Sequence, residues 1–150
     1  MSRESKILKV GAFGAEKTIY HYESFGWELL SLNGDTITMS RETQNPVYTD
    51  LVKNESKYEQ LVAEYNSVPH PGKPVKPAPF NLKTCGILLL LLVVPGALYI
   101  AYKINQNKKY KEAMSAYENA VSAREEKKKG IMAKIDQLLM DSRATFFGQH

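Results

Sequence analysis

Thr84-Cys85-Gly86-Ile87-Leu88-Leu89-Leu90-Leu91-Leu92-Val93-Val94-Pro95-Gly96-Ala97-Leu98-Tyr99-Ile100-Ala101-Tyr102 carries no charge and lies between Lys83 and Lys103. As one helix, a stretch of this length extends about 28 Å, close to the ~30 Å hydrocarbon thickness of a bilayer. It is apolar on every side, as a helix surrounded by lipid should be. Tyr99, Tyr102 and Lys103 at its end fit an interfacial belt. Pro95-Gly96 would stop a helix in water but is tolerated as a kink in a membrane. A hairpin turning at that pair would leave short, unequal arms. The expectation is therefore a single transmembrane helix over 84–104, with the lipid bilayer as its partner.

The flanks differ in charge. Residues 1–66 carry 7 basic and 10 acidic side chains, 67–83 carry 3 basic and no acidic ones, and 105–150 carry 9 basic and 6 acidic. The net +4 thus reflects cations around and after the apolar block. That distribution suits anionic lipid headgroups. Nucleic acid is not expected, because the cations alternate with glutamates and lack interleaved aromatic rings. Counting basic residues near the block places the C-terminus on the cytoplasmic side of a single-pass membrane protein. The lone cysteine, Cys85, excludes an internal disulfide and a cysteine-based zinc cluster.

Before the block, residues 5–10 read as a short strand and Ala12 to Phe25 as a helix capped by Gly26. Trp27 to Leu32 and Thr36 to Arg41 are strands joined at Asn33-Gly34-Asp35, a strong hairpin signal. A hairpin alone is marginal, so the helix must cover one face of it, giving an expected core of Ile19, Phe25, Trp27, Leu29, Ile37 and Met39. Phe25-Gly26-Trp27-Glu28-Leu29-Leu30, preceded by a helix and followed by a strand ending in a basic residue, resembles the Gly-Trp-Glu-Leu hairpin of small bacterial domains of unknown function. The resemblance spans about residues 12–42; it implies a helix-plus-hairpin fold and supplies no catalytic residue.

Asp50 reads as the N-cap of a helix over 50–66. The linker 67–83 is proline-rich and should form an extended polyproline spacer holding the N-terminal domain away from the bilayer. Beyond the block, 105–150 reads as a helical, coiled-coil-like tail. Its seam runs Tyr110, Met114, Tyr117, Val121, Arg124, Lys128, Ile131, Ile135, Leu138, Ser142, with a kink or turn expected near Gly130.

The fold class is α+β: a small domain over 1–49, the helix, the linker, one transmembrane helix and the helical tail. No catalytic, cofactor-binding or metal-binding residue emerges. Gly11 to Thr18 misses the spacing of a phosphate loop, and His21, His70 and His150 are too dispersed to share a metal. A non-enzymatic, membrane-anchored interaction or scaffold protein follows. It would form a homo-oligomer through 105–147 or engage an unknown protein partner. The alternative is an accessory subunit or sensor whose N-terminal domain binds a ligand and signals through the membrane helix.

Overall fold

The computed structural model describes residues 2–91 and 93–148. The chain divides into two compact units, residues 1–68 with 127–150, and residues 69–126. The elements are β1 (Arg3–Lys9), α1 (Ala15–Glu23), β2 (Trp27–Asn33), β3 (Thr36–Glu42), α2 (Tyr48–Ser67), α3 (Leu82–Leu91) and α4 (Val93–Phe147).

The α+β character of the first unit rests on an antiparallel sheet of order β1-β3-β2. Gly34 takes a positive φ of 58° in the Gly34-Asp35 turn, which lets Asn33 pair directly with Thr36. β3 is central because β1 adds to its free edge, Lys6 opposite Met39 and Leu8 opposite Ile37. Alternation along β3 sends Ile37, Met39 and Arg41 to the face that also carries Trp27 and Lys6. α2 lies over this face through Leu51, Glu55 and Tyr58, spaced one helical turn apart.

The core departs from expectation in two ways. Phe25, Trp27, Ile37 and Met39 are buried, but Leu29 is exposed and Ile19 only half-buried. β2 is an edge strand, its register shifts between Leu29 and Ser31, and of its apolar residues only Trp27 is buried. The second difference is larger. Ile131, Ile135 and Leu139 of α4 enter the same hydrophobic cluster as Phe25, Trp27 and Tyr58. Near its end, Arg143 stacks on Tyr20, with Cζ 3.7 Å from the ring centre, and donates through Nε to Ser24 Oγ at 2.8 Å. α4 is helical through Gly130, with no turn there.

The helix ends also shift. α1 begins after Gly14 and ends with Ser24 as C-cap; Gly26, at φ 79°, then turns the chain into β2. Asp50 is not the cap of α2: Val47 holds that position, and Asp50 sits in the first turn, where its charge favours the helix N-terminus. A Cβ on Gly26 would lie 3.1 Å from Phe146 and 3.3 Å from Leu51. Left-handed backbone alone costs a non-glycine residue about 1–2 kcal/mol. Gly26→Ala should therefore lower unfolding free energy by at least ~2 kcal/mol, read by denaturant titration of Trp27 fluorescence. A change below ~0.5 kcal/mol would contradict this placement.

In the second unit, residues 69–80 form neither helix nor strand. Pro71, Pro74 and Pro77 are half-buried while most residues between them are exposed, the three-residue period of a polyproline helix. On α4, Tyr110, Met114, Tyr117, Val121 and Arg124 are half-buried with helical spacing. Lys103 Nζ donates to Ala78 O at 3.2 Å, tying the end of the proline segment to the head of that helical row. The segment thus folds back as a strap along α4 instead of standing clear as a spacer. Farther along the same row, Ile131, Ile135 and Ser142 are buried in the first unit.

The expected span over 84–104 includes Leu92, which lies outside the described residues; α3 precedes it and α4 follows it. Among the described residues no helix is long and apolar enough to cross a membrane. The Phe80 ring lies 5.7 Å from that of Tyr99, and Ala78 meets Lys103. One straight helix would separate Leu82 from Lys103 by about 31 Å, beyond the reach of the few residues from Ala78 to Leu82. α3 and α4 therefore do not form one straight helix.

Candidate functional site

Polar residues in the first unit gather between the sheet and α2. Arg41 points from β3 toward Glu55, and both are buried. Arg41 NH1 donates to Glu55 Oε2 at 2.8 Å and to the Phe25 carbonyl at 3.1 Å, while its Nε donates to Glu4 at 2.7 Å. Glu55 accepts two further donors, Trp27 Nε1 at 3.1 Å and Lys6 Nζ at 2.5 Å. The guanidinium carbon sits 4.4 Å from the Trp27 ring centre and 5.0 Å from that of Tyr48. Lys6 also reaches Glu59 at 2.6 Å. Burial pushes the Lys6 pKa down, but hydrogen bonds and charge from Glu55 and Glu59 outweigh it and raise the value.

A cleft of about 330 Å³ opens onto this cluster, lined by Lys6, Trp27, Arg41, Tyr48, Glu55 and Glu59 among others. Its charges are already engaged with one another. Two cations face three carboxylates, and Glu55 accepts three donors. The acids and bases of the cluster are paired with one another, a buried clamp joining sheet to helix. Sequence reasoning passed over it, yet the signal was there: Arg41 continues the inward row Ile37, Met39, and Glu55 continues the row Leu51, Tyr58.

His21, on α1, is buried, with Nδ1 2.8 Å from the Tyr58 hydroxyl and its ring edge-on to Phe13 and Tyr58. Burial lowers the His21 pKa; Asp136 raises it, and Lys17 and Arg143 lower it further. Burial and the Glu59 charge push the Tyr58 hydroxyl well above its ordinary range. Burial thus favours a neutral imidazole paired with a neutral phenol. A second cleft, of about 310 Å³, lies beside them between the Gly11 loop and α2.

This pair sets a pH dependence. The folded pKa of His21 is depressed, so the unfolded chain binds the proton more readily as pH falls. The stability from His21 is fully present above pH ~6.5, the unfolded value, and is lost as pH drops toward the folded one. Unfolding free energy should therefore decrease between pH 7 and pH 5, and His21→Gln should flatten that slope, as measured by chemical denaturation across the range. An identical slope in both proteins would contradict the buried neutral imidazole.

The other sequence-singled residues are not brought together. His70 is exposed, with Nδ1 2.9 Å from the Pro71 carbonyl oxygen, and His150 lies outside the described residues. Gly11 and Gly14 form the tight turn that starts α1, where Thr18 Oγ1 donates back to the Gly14 carbonyl at 2.7 Å.

The second unit presents a different kind of surface. Leu82 is 77% exposed, Leu98 65% and Ile104 64%, and Ile87 and Tyr102 are exposed as well. Cys85 and Gly96 are buried. Leu82, Ile87 and Leu98 thus face outward on these helices, unlike the apolar residues of a water-facing helix. Compared with known protein families, curated proteins and solved structures, the chain matches none.

Proposed function

We propose that this protein is a membrane-anchored interaction module whose apolar segment enters the bilayer as a helical hairpin and leaves on the face it came from. The observation that carries the reading is the shared core. Phe25 and Trp27 pack in one cluster with Ile131, Ile135 and Leu139, and Arg143 bonds Ser24. A single span between residues 68 and 127 would put these groups on opposite faces of the bilayer and forbid that core.

Each arm, Leu82–Leu91 and the first ten residues of α4, is about 15 Å long, half the ~30 Å hydrocarbon thickness. A hairpin of this depth lodges in one leaflet. Burying an aliphatic side chain such as Leu82, Ile87 or Leu98 in lipid is worth ~1.5–3 kcal/mol each, enough in sum to hold the chain. Under this reading residues 1–68 and 127–150 share one face of the bilayer, the cytoplasmic one by positive-inside counting. A sensor signalling through a single span needs those segments on opposite faces, so the scaffold role is favoured over it.

Vesicle flotation tests the anchor. Full-length protein should float with phosphatidylcholine vesicles and resist carbonate extraction. Ile87→Asp with Leu98→Asp should abolish flotation while leaving Trp27 fluorescence unchanged. Flotation undiminished by both aspartates would sink the reading.

A further inference from the structure

From Tyr65 to Lys111 the chain contains no carboxylate, the nearest being Glu64 and Glu112, yet it contains seven lysines. Lys73 and Lys76 lie on the proline strap, Lys83 on α3, and Lys103, Lys108, Lys109 and Lys111 on α4. Six are exposed; Lys103 is half-buried, with Nζ bonded to Ala78 O and 5.9 Å from the Tyr99 ring centre. Among the described residues none of the seven forms an ion pair.

The strap brings these charges side by side. Ala78 sits against Lys103, and the strap advances about 3.1 Å per residue against about 1.5 Å on the helix. Lys76 therefore lies abreast of helix positions near 107, beside Lys108 and Lys109, with Lys73 about two helical turns farther on. Lys83 and Lys103 stand at the open end of the hairpin, where both arms meet the strap. In a single-pass protein these lysines would be divided between two faces; in the hairpin all converge on one.

We propose that this set forms a cationic collar at the mouth of the hairpin that selects anionic phospholipid in the leaflet it enters. The proposal rests on the membrane reading above and adds its lipid specificity. The complementary chemistry is a plane of phosphodiester headgroups at the depth where the apolar arms end. Lysine suits that surface, being a flexible point charge that needs no fixed geometry. Duplex or single-stranded nucleic acid is the weaker fit, because the nearby rings are not free platforms: Tyr99 and Tyr102 lie within the apolar arm and Tyr110 is half-buried.

The test compares flotation of full-length protein with phosphatidylcholine vesicles and with vesicles containing 30% phosphatidylglycerol. A lysine near an anionic surface contributes roughly fivefold to partitioning. Wild type should therefore favour the anionic vesicles at least tenfold at low ionic strength, and the preference should shrink in 0.5 M salt. Lys73→Gln, Lys76→Gln, Lys108→Gln and Lys109→Gln combined should remove most of the preference while retaining binding to neutral vesicles and native Trp27 fluorescence. Equal partition of wild type between the two vesicles, or an undiminished preference in the quadruple variant, would overturn the collar. So would tighter binding to a polyuridine RNA than to the anionic vesicles. Failure to float with either vesicle would instead overturn the membrane reading beneath it.

Discussion

Arg41→Ala should lower the unfolding free energy by about 3 kcal/mol or more, one of the largest effects of any single substitution in the first unit. The guanidinium joins the Phe25 carbonyl, Glu4 and Glu55 and is sandwiched between Trp27 and Tyr48. Truncation leaves the buried Glu55 with Lys6 and Trp27 alone, and leaves the Phe25 carbonyl without its side-chain donor. Removing one member of a buried charge pair costs more than the pair is worth, because the survivor stays desolvated. Arg41→Met combined with Glu55→Leu should accordingly cost much less than the sum of the two single changes. Guanidinium titration followed by Trp27 fluorescence measures all three. A loss below ~1 kcal/mol for Arg41→Ala would show that the clamp is solvated in solution.

Ile135→Ala should cost ~2–5 kcal/mol, the usual range for emptying a fully buried aliphatic site. Ile135 is 0% exposed and packs in the cluster that contains Phe25 and Trp27. The destabilisation should therefore appear in the Trp27 signal although the two residues are far apart in sequence. A tail that folded separately, or paired with a second copy, would lose its own helicity and leave Trp27 unaffected. Exposed Met140→Ala, on the same helix, is the control and should change stability by less than ~0.5 kcal/mol.

The sequence made some elements plain and concealed others for physical reasons. Alternation around Asn33-Gly34-Asp35 and the helical spacing of Leu51, Tyr58 and Val62 are local signals, and the hairpin and α2 follow from them. The third strand was the weaker expectation, since β1 carries only Ile7 and Leu8 as large aliphatic residues and depends on β3 for its partner. What local pattern cannot give is the identity of a partner. The row Ile131, Ile135 specifies a buried helix face and is silent about whether a second copy or the chain's own sheet buries it. Likewise the prolines at 71, 74 and 77 announce an extended segment but not the helix it lies against. Nor does the uncharged run by itself announce that Ala78 and Phe80 meet Lys103 and Tyr99, a contact made by residues far apart in sequence. The charged clamp was overlooked because a buried Arg and Glu look like surface residues until their rows are traced.

One measurement bears most directly on a chain that leaves and returns on the same face. Single cysteines at the exposed positions Ser67 and Gln137, each in a Cys85→Ser background, would be labelled with an impermeant maleimide in sealed, oriented vesicles. The hairpin requires both sites to be reactive from one side and both protected from the other. Reactivity of Ser67→Cys and Gln137→Cys from opposite sides would mean a single crossing, and with it the loss of the common core.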